Sequence, residues 1–414
     1  MFYIDETNRK QHCYVTYGRQ FLRYKWYKPL ITGLLFLIFY VLFAVAAALG
    51  VGYFGGAVTG QTIMQILSNA GTTYDDLNVN NFFESVLNLG QVALMIPALF
   101  VARLIVRDRP FSSYSSSRGG WHSGLFFRYL GICVITVVIP LLIHEYFTEG
   151  FKPLDIKFTL AGFLAVLVLG PLQCIAEEYV FRGLLMQTLG SWIRIPVIAV
   201  ILQAVLFAAS HPYNWTGKCA ILASGLGFGM AAWIGRGIEL SSAIHVANNM
   251  TAFILMGLGQ EHIQTEVSRE NMIFDICMYS ANVIVLFILS RKTDWFNKGR
   301  KDDLTIANDK ETARRARKAG KKAGKKGASY GTEDKVIDFT APEPVVSKAQ
   351  PAPAAPEKVE AAEKPAVATA AENAKAAEII EITDSAIDAY STSADAPEHV
   401  GRTGGRVARN KDKY

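Results

Sequence analysis

Few residues in this chain can do chemistry, and those few sit in apolar surroundings. They fall in three places: Glu177 and Glu178 with Arg182 in Ala-Glu-Glu-Tyr-Val-Phe-Arg, His211 in Phe-Ala-Ala-Ser-His, and His245 with Asn249 in His-Val-Ala-Asn-Asn. An ionisable side chain at bilayer depth costs at least about 2.5–3.5 kcal/mol, so each is a functional candidate by default. On a helix, successive residues point about 100° apart, so Glu177 and Glu178 cannot serve one spot and must do different work. Glu178 and Arg182 are four apart in the favourable acid-to-base order, a pair that can neutralise itself and hold the helix in place. Glu177 is then left with no local cation, and a carboxylate so placed suits a general base for water.

The same four-residue spacing puts Phe207 with His211, and His245 with Asn249, on single helical faces. Glu177 to His211 and His211 to His245 are each 34 residues, about one helix out and one back. Three inward-facing groups on three helices can meet at one depth, as in bundle-core metal sites. Two imidazoles and a carboxylate also match a catalytic three-ligand pattern with a position open for water, so Zn2+ held by His211, His245 and Glu177 is one expectation. For His245 alone, hydrogen bonding between helices is the plainer reading. His211 poses the main difficulty: it meets Glu177 only if the fourth helix runs from about Phe158 to Leu189 and His211 lies midway along a fifth helix continuing past Pro212.

The elements that must position these groups are membrane helices. Half of the chain, 51%, is hydrophobic and only 19% charged, against about 25% charged in a soluble domain. Eight apolar runs approach or exceed the roughly 20 residues that cross a hydrocarbon core: Leu30 to Phe54, Leu87 to Val106, Leu125 to Ile143, Phe158 to Ala176, Ile195 to Ser210, Cys219 to Ile234, Ile238 to Leu258 and Met272 to Leu289. The expected fold is all-α, a polytopic transmembrane bundle of about eight spans. Six basic residues lie between Arg9 and Lys28, none in the next loop, and five from Arg103 to Arg128. Positive loops face the cytoplasm, so both termini are expected there.

The chain reads as an N-terminal segment 1–29, helices over 30–157, a candidate catalytic core over 158–290 that carries the three groups above, and a tail over 291–414, where composition changes abruptly. Residues 291–326 carry 14 basic against 5 acidic side chains, a block expected to meet anionic lipid and not nucleic acid. Residues 331–400 are rich in Ala, Pro and Glu and cannot bury enough apolar surface to order themselves, so a disordered cytoplasmic tail is expected. The five Cys have no metal-ligand spacing and read as packing residues. Gly225-Leu226-Gly227-Phe228-Gly229 reads as close helix packing. His144-Glu145 lacks the second His of a zinc motif, since position 148 is Thr.

Together the three motifs resemble those of the CPBP family of intramembrane peptidases, the CAAX-protease and bacteriocin-processing (Abi) group that includes type II CAAX prenyl endopeptidases. Its Glu-Glu-x-x-x-Arg, Phe-x-x-x-His and His-x-x-x-Asn patterns are complete and in order here. The likeness covers roughly Phe158 to Met256. It implies that Glu177 activates water together with His211, that His245 and Asn249 complete a zinc site or stabilise the oxyanion, and that Glu178, Arg182 and Phe207 support them. The implied activity is a membrane-embedded metalloendopeptidase or glutamate peptidase cleaving a membrane protein or peptide, with a bacterial plasma membrane as the setting. Two rivals stay open at this point: a non-catalytic binding or bacteriocin self-immunity protein using the same cavity, and a transporter or scaffold.

Overall fold

A computed structural model describes residues 13–60, 64–65, 79–260, 265–296 and 303–328; the expected disordered tail over 331–400 lies outside them. Each apolar run forms a helix: α1 (Lys28–Thr59), α2 (Phe82–Val106), α3 (Ser123–Thr148), α4 (Leu160–Ile193), α5 (Pro196–Ala209), α6 (Trp215–Ile234), α7 (Glu239–Gly257) and α8 (Arg269–Lys292). Among the described residues 6 of these are long and apolar enough to cross a membrane unaided. The other two are α5, which has only 14 residues, and α7, whose middle carries His245, Asn248 and Asn249. A basic helix, α9 (Asp303–Ala328), follows.

Helix starts follow local chemistry. Side chains of Thr159, Asn214 and Ser268 accept from backbone N–H groups at the starts of α4, α6 and α8, and Asn81 with Glu84 forms a reciprocal cap on α2. Large apolar side chains face outward all around, Leu34, Ile38 and Val41 of α1 among them. Such a surface is stable only against lipid, where a helix satisfies its own backbone polar groups. α1 packs on α2, α5 on α6, α6 on α8, and α7 lies between α3 and α4 as the buried centre.

Loop hydrogen bonds define two opposite ends. At one end, Trp192 Nε1 donates to the Trp26 carbonyl at 2.9 Å, Arg109 bonds Gln187, and the Ser117 and Ile238 amides donate to the carbonyls of Arg236 and Ser115 at 3.0 and 2.8 Å. Helix α9 attaches to this end: the Leu22 amide donates to Asn308 Oδ1 at 2.8 Å, Arg315 donates to the Leu22 carbonyl at 3.0 Å, and Arg23 lies 3.7 Å from Glu311. A hydrogen bond from Arg314, joined by Arg315 and Arg23, holds the Glu311 carboxyl down to about 2. At the other end, the Thr159 amide donates to Asn80, Lys157 to Gly257, and Asn214 to Thr265, at 2.8, 2.8 and 3.0 Å.

Helix α4 runs unbroken through Glu177, as the sequence requires. It contains Pro171 and widens into π-helical turns over Tyr179–Met186, directly after Glu178; such wide turns recur at functional sites. The expectation for α5 is corrected: the helix stops at Ala209, and His211 lies beyond its end, not midway along it. Pro212 is the cause, because a proline pushes the residue before it out of the helical region. The five Cys are free thiols; Cys133 and Cys174 are buried as packing residues, Cys13 and Cys219 half-buried, and Cys277 exposed.

Glycines set the closeness of α5, α6 and α8. A Cβ at Gly225 would lie 3.1 Å from Ala204 and 3.3 Å from the Phe207 ring; one at Gly227 would lie 3.3 Å from Tyr279. The packing role read from this stretch therefore holds. Gly225→Leu is expected to lose about 1–3 kcal/mol through overpacking, read as a lower Tm in detergent, whereas Gly33→Leu on the lipid side, where nothing lies within 4 Å, leaves Tm near wild type.

Candidate active site

The site is built around one carboxylate with no solvent exposure. Glu178 Oε1 accepts from Arg182 Nη1 at 2.9 Å and from His245 Nδ1 at 3.0 Å. Arg182 is equally buried, and its Nη2 reaches the Gly225 carbonyl at 3.4 Å. Aromatic faces complete its surroundings, with the guanidinium 4.4 Å from the Phe207 ring centre and 5.0 Å from that of Phe228. A buried ion pair is tolerable only when both partners are so held, and arginine over an aromatic face adds about 0.5–2 kcal/mol. Phe207, the first residue of the Phe-x-x-x-His motif, thus acts on Arg182 as well as on His211.

Because a carboxylate oxygen only accepts, the hydrogen between Glu178 and His245 sits on Nδ1; in a neutral ring Nε2 then carries its lone pair on the other side. Phe228 stacks on that ring at 4.8 Å and fixes its plane. Nε2 lies 3.7 Å from Glu177 Oε2, too far for a hydrogen bond between them. The other carboxylate oxygen of Glu177 is occupied, accepting from Gln173 Nε2 at 2.6 Å. Among the described residues Glu177 Oε2 and His245 Nε2 therefore have no hydrogen-bond partner, and they face each other.

Both groups border a cavity of about 410 Å³ that Phe207, His211, Asn249 and Tyr279 also line. The His211 Nδ1 donates to the Phe207 carbonyl at 2.7 Å, capping the end of α5, and its ring meets the Phe207 ring edge-on at 4.7 Å. Asn249 Nδ2 donates to Gln173 Oε1 at 3.4 Å, and Asn249 Oδ1 accepts from Asn248 Nδ2 at 3.1 Å. Tyr279 donates to Asn248 Oδ1 at 3.0 Å. All the motif residues thus stand in or directly behind one cavity, and Glu178 with Arg182 forms the pair that the spacing implied.

A metal can be tested against these positions. With Nδ1 of each histidine bound to a carboxylate or carbonyl, both rings are oriented as metal-ligating imidazoles are. The spacing does not fit: among the described residues no three His, Cys, Asp or Glu side chains are gathered closely enough to hold an ion. Glu177 and His245 approach each other without His211.

The motifs alone missed other cavity residues, among them Gln173, Asn248, Tyr279 and Asp275. Gln173 precedes Glu177 by four, the same spacing that revealed the other pairs, and was legible on that ground. Asn248 and Tyr279 gave no signal of their own. Asp275 interrupts the apolar run of α8 and also lines the cavity; a lone acid within a span was the available sign. His144, bonded to Asn271 at 2.9 Å and stacked on Phe274, belongs to the cavity mouth.

Comparison with known proteins agrees with the motif reading. Residues 159–251 match the family described as type II CAAX prenyl endopeptidase Rce1-like, which places Glu177, His211 and His245 within the matched stretch. The uncharacterized protein YyaK of Bacillus subtilis (strain 168) is 29% identical over 169 residues, covering 37% of this chain and 55% of YyaK; the chain thus spans about half the length of the curated relative it matches. No solved structure matches the chain.

Breaking the buried pair is expected to unfold the site. Arg182→Ala and Glu178→Gln should each lose about 3–5 kcal/mol by leaving one buried charge uncompensated, whereas Glu177→Gln should stay within about 1 kcal/mol of wild type. Chemical unfolding in detergent, followed by circular dichroism, measures the difference.

Proposed function

We propose that this protein is an intramembrane endopeptidase that hydrolyses a peptide bond of a membrane-associated protein or peptide. One observation carries the reading: Glu177 Oε2 and His245 Nε2 face one cavity 3.7 Å apart, while their other polar atoms are bound to Gln173 and Glu178. A water that donates to both acceptors is held with its own lone pairs free. As that oxygen attacks a peptide carbonyl, Glu177 takes its proton, and the amide of Asn249, on the same helix as His245, is the nearby neutral donor for the developing oxyanion. As the C–N bond breaks, Glu177 returns that proton to the departing amine, with His211, the second imidazole lining the cavity, as the group that can relay it. The partly buried surroundings strengthen each of these interactions.

The family match over residues 159–251 supports a protease of this general kind. Zn2+ stays a proposal of lower rank, because the side chains do not gather at ligand distances, and no step above is routed through a metal. We place the protein in a bacterial plasma membrane with both termini cytoplasmic, since the end that holds Lys25, Arg109, Arg118, Arg194 and Arg236 also bears residues 13–27 and α9. We place the basic block 291–326, part of which forms α9, against anionic lipid on that side.

The purified chain in nanodiscs is expected to cleave a membrane peptide, and Glu177→Gln to lower kcat by about 10²–10⁴-fold with an unchanged Tm; full activity in a folded Glu177→Gln protein overturns the reading. Metal analysis of the same preparations decides the zinc branch, a metal-free active enzyme ending it. Trypsin cleavage within α9 should slow when phosphatidylglycerol replaces phosphatidylcholine in the disc, and equal rates count against the lipid contact.

A further inference from the structure

The cavity has a direction. Its lining comes from one end of the bundle only: Glu145 and Glu149 at the close of α3, Lys152 in the following loop, Glu266 before α8, and Asp275 in its second turn. The same end is tied together by the bonds from Thr159 to Asn80, from Lys157 to Gly257 and from Asn214 to Thr265. No lining residue belongs to the opposite end, where the loops carrying Arg107, Arg109, Arg118, Arg194 and Arg236 meet. The two ends also differ in charge. The four carboxylates just named line the cavity against one lysine, and among the described residues none of them is paired with an arginine, unlike the buried Glu178 and Glu239. Asp275 makes no hydrogen bond or ion pair among the described residues.

We infer that the cavity is entered from the extracytoplasmic face and receives a polypeptide segment bearing cationic side chains. The loops rich in arginine fix the cytoplasmic side, so the mouth at the other end opens outward. A cleft lined by one sign of charge with low-dielectric walls concentrates oppositely charged ligands, and an acidic mouth leading to Glu177 and His245 therefore draws a basic segment toward them. The substrate class implied is a secreted, exported or externally presented basic peptide or loop, not a protein approaching from the cytosol. The word substrate rests on the peptidase reading; the direction and charge of the mouth do not.

Two measurements test this on the full chain without relying on turnover. Lys152→Cys at the mouth and Lys25→Cys at the opposite end are treated in intact cells with a membrane-impermeant maleimide, each compared with the unsubstituted chain. Added labelling at position 152 and none at position 25 is expected, and the reverse pattern overturns the direction. Binding is then measured with Glu177→Gln protein in nanodiscs, using one labelled apolar peptide extended by three Lys or by three Glu. The Lys form is expected to bind about tenfold more tightly at low salt, with the ratio shrinking as salt rises and on Asp275→Asn or, should that variant fold poorly, Glu145→Gln. Equal binding, preference for the Glu form or no binding of either overturns the charge assignment. Failure of the peptidase reading shows separately, as Glu177-independent or absent cleavage alongside intact labelling and binding.

Discussion

Everything in the site depends on how one buried carboxylate is shared. Glu178 takes a hydrogen bond from Arg182 on its own helix and another from His245 on α7. The first neutralises the acid within a single helix; the second joins α4 to the buried centre of the bundle and settles which ring nitrogen of His245 is left free. A charge inside a membrane protein is expensive unless held from several sides, and here the arginine is held by the acid, a backbone carbonyl and two aromatic faces. That arrangement leaves Glu177, the neighbouring acid, held by Gln173 through one oxygen and with the other turned to the cavity.

The helices around this pair are chosen for closeness. Gly225 lets α6 approach α5, so that its carbonyl accepts from both Arg182 and Gln203, the latter at 2.8 Å. Phe228, three residues on, packs against His245 on one side and meets Tyr279 edge-on on the other. Packing and chemistry are thus borne by the same turn of α6: a larger residue at Gly225 would move the ring that orients the histidine. The wide turns that follow Glu178 span Tyr179–Met186, and Arg182, which holds the acid, lies within them.

Much of this was legible in the chain itself. The apolar runs located all eight helices because hydrocarbon tolerates no other way of satisfying a backbone, and four-residue spacings revealed Glu178 with Arg182 because that spacing is geometric. His211 was misjudged in its setting: the run through Ser210 looks like a continuing helix, and only the proline after the histidine warns that the chain turns there. Gln173 could have been found by the rule that found Arg182, and Asp275 by the cost of a lone acid in a span. Asn248 and Tyr279 could not, since their roles arise from contact between α7 and α8, which no local pattern encodes. The meeting of Glu177 with His245, and the standing apart of His211, likewise follow from tertiary placement alone.

The central claim is that Glu178 holds the hydrogen of His245 on Nδ1, leaving Nε2 free beside Glu177. Nitrogen-15 chemical shifts of histidine-labelled protein in nanodiscs at about pH 8, with His245→Gln to assign the resonances, report it directly. The prediction is a His245 ring with a protonated Nδ1 and an unprotonated Nε2, reverting to the other tautomer or a mixture when Glu178 is replaced. A wild-type ring carrying its hydrogen on Nε2 would contradict it.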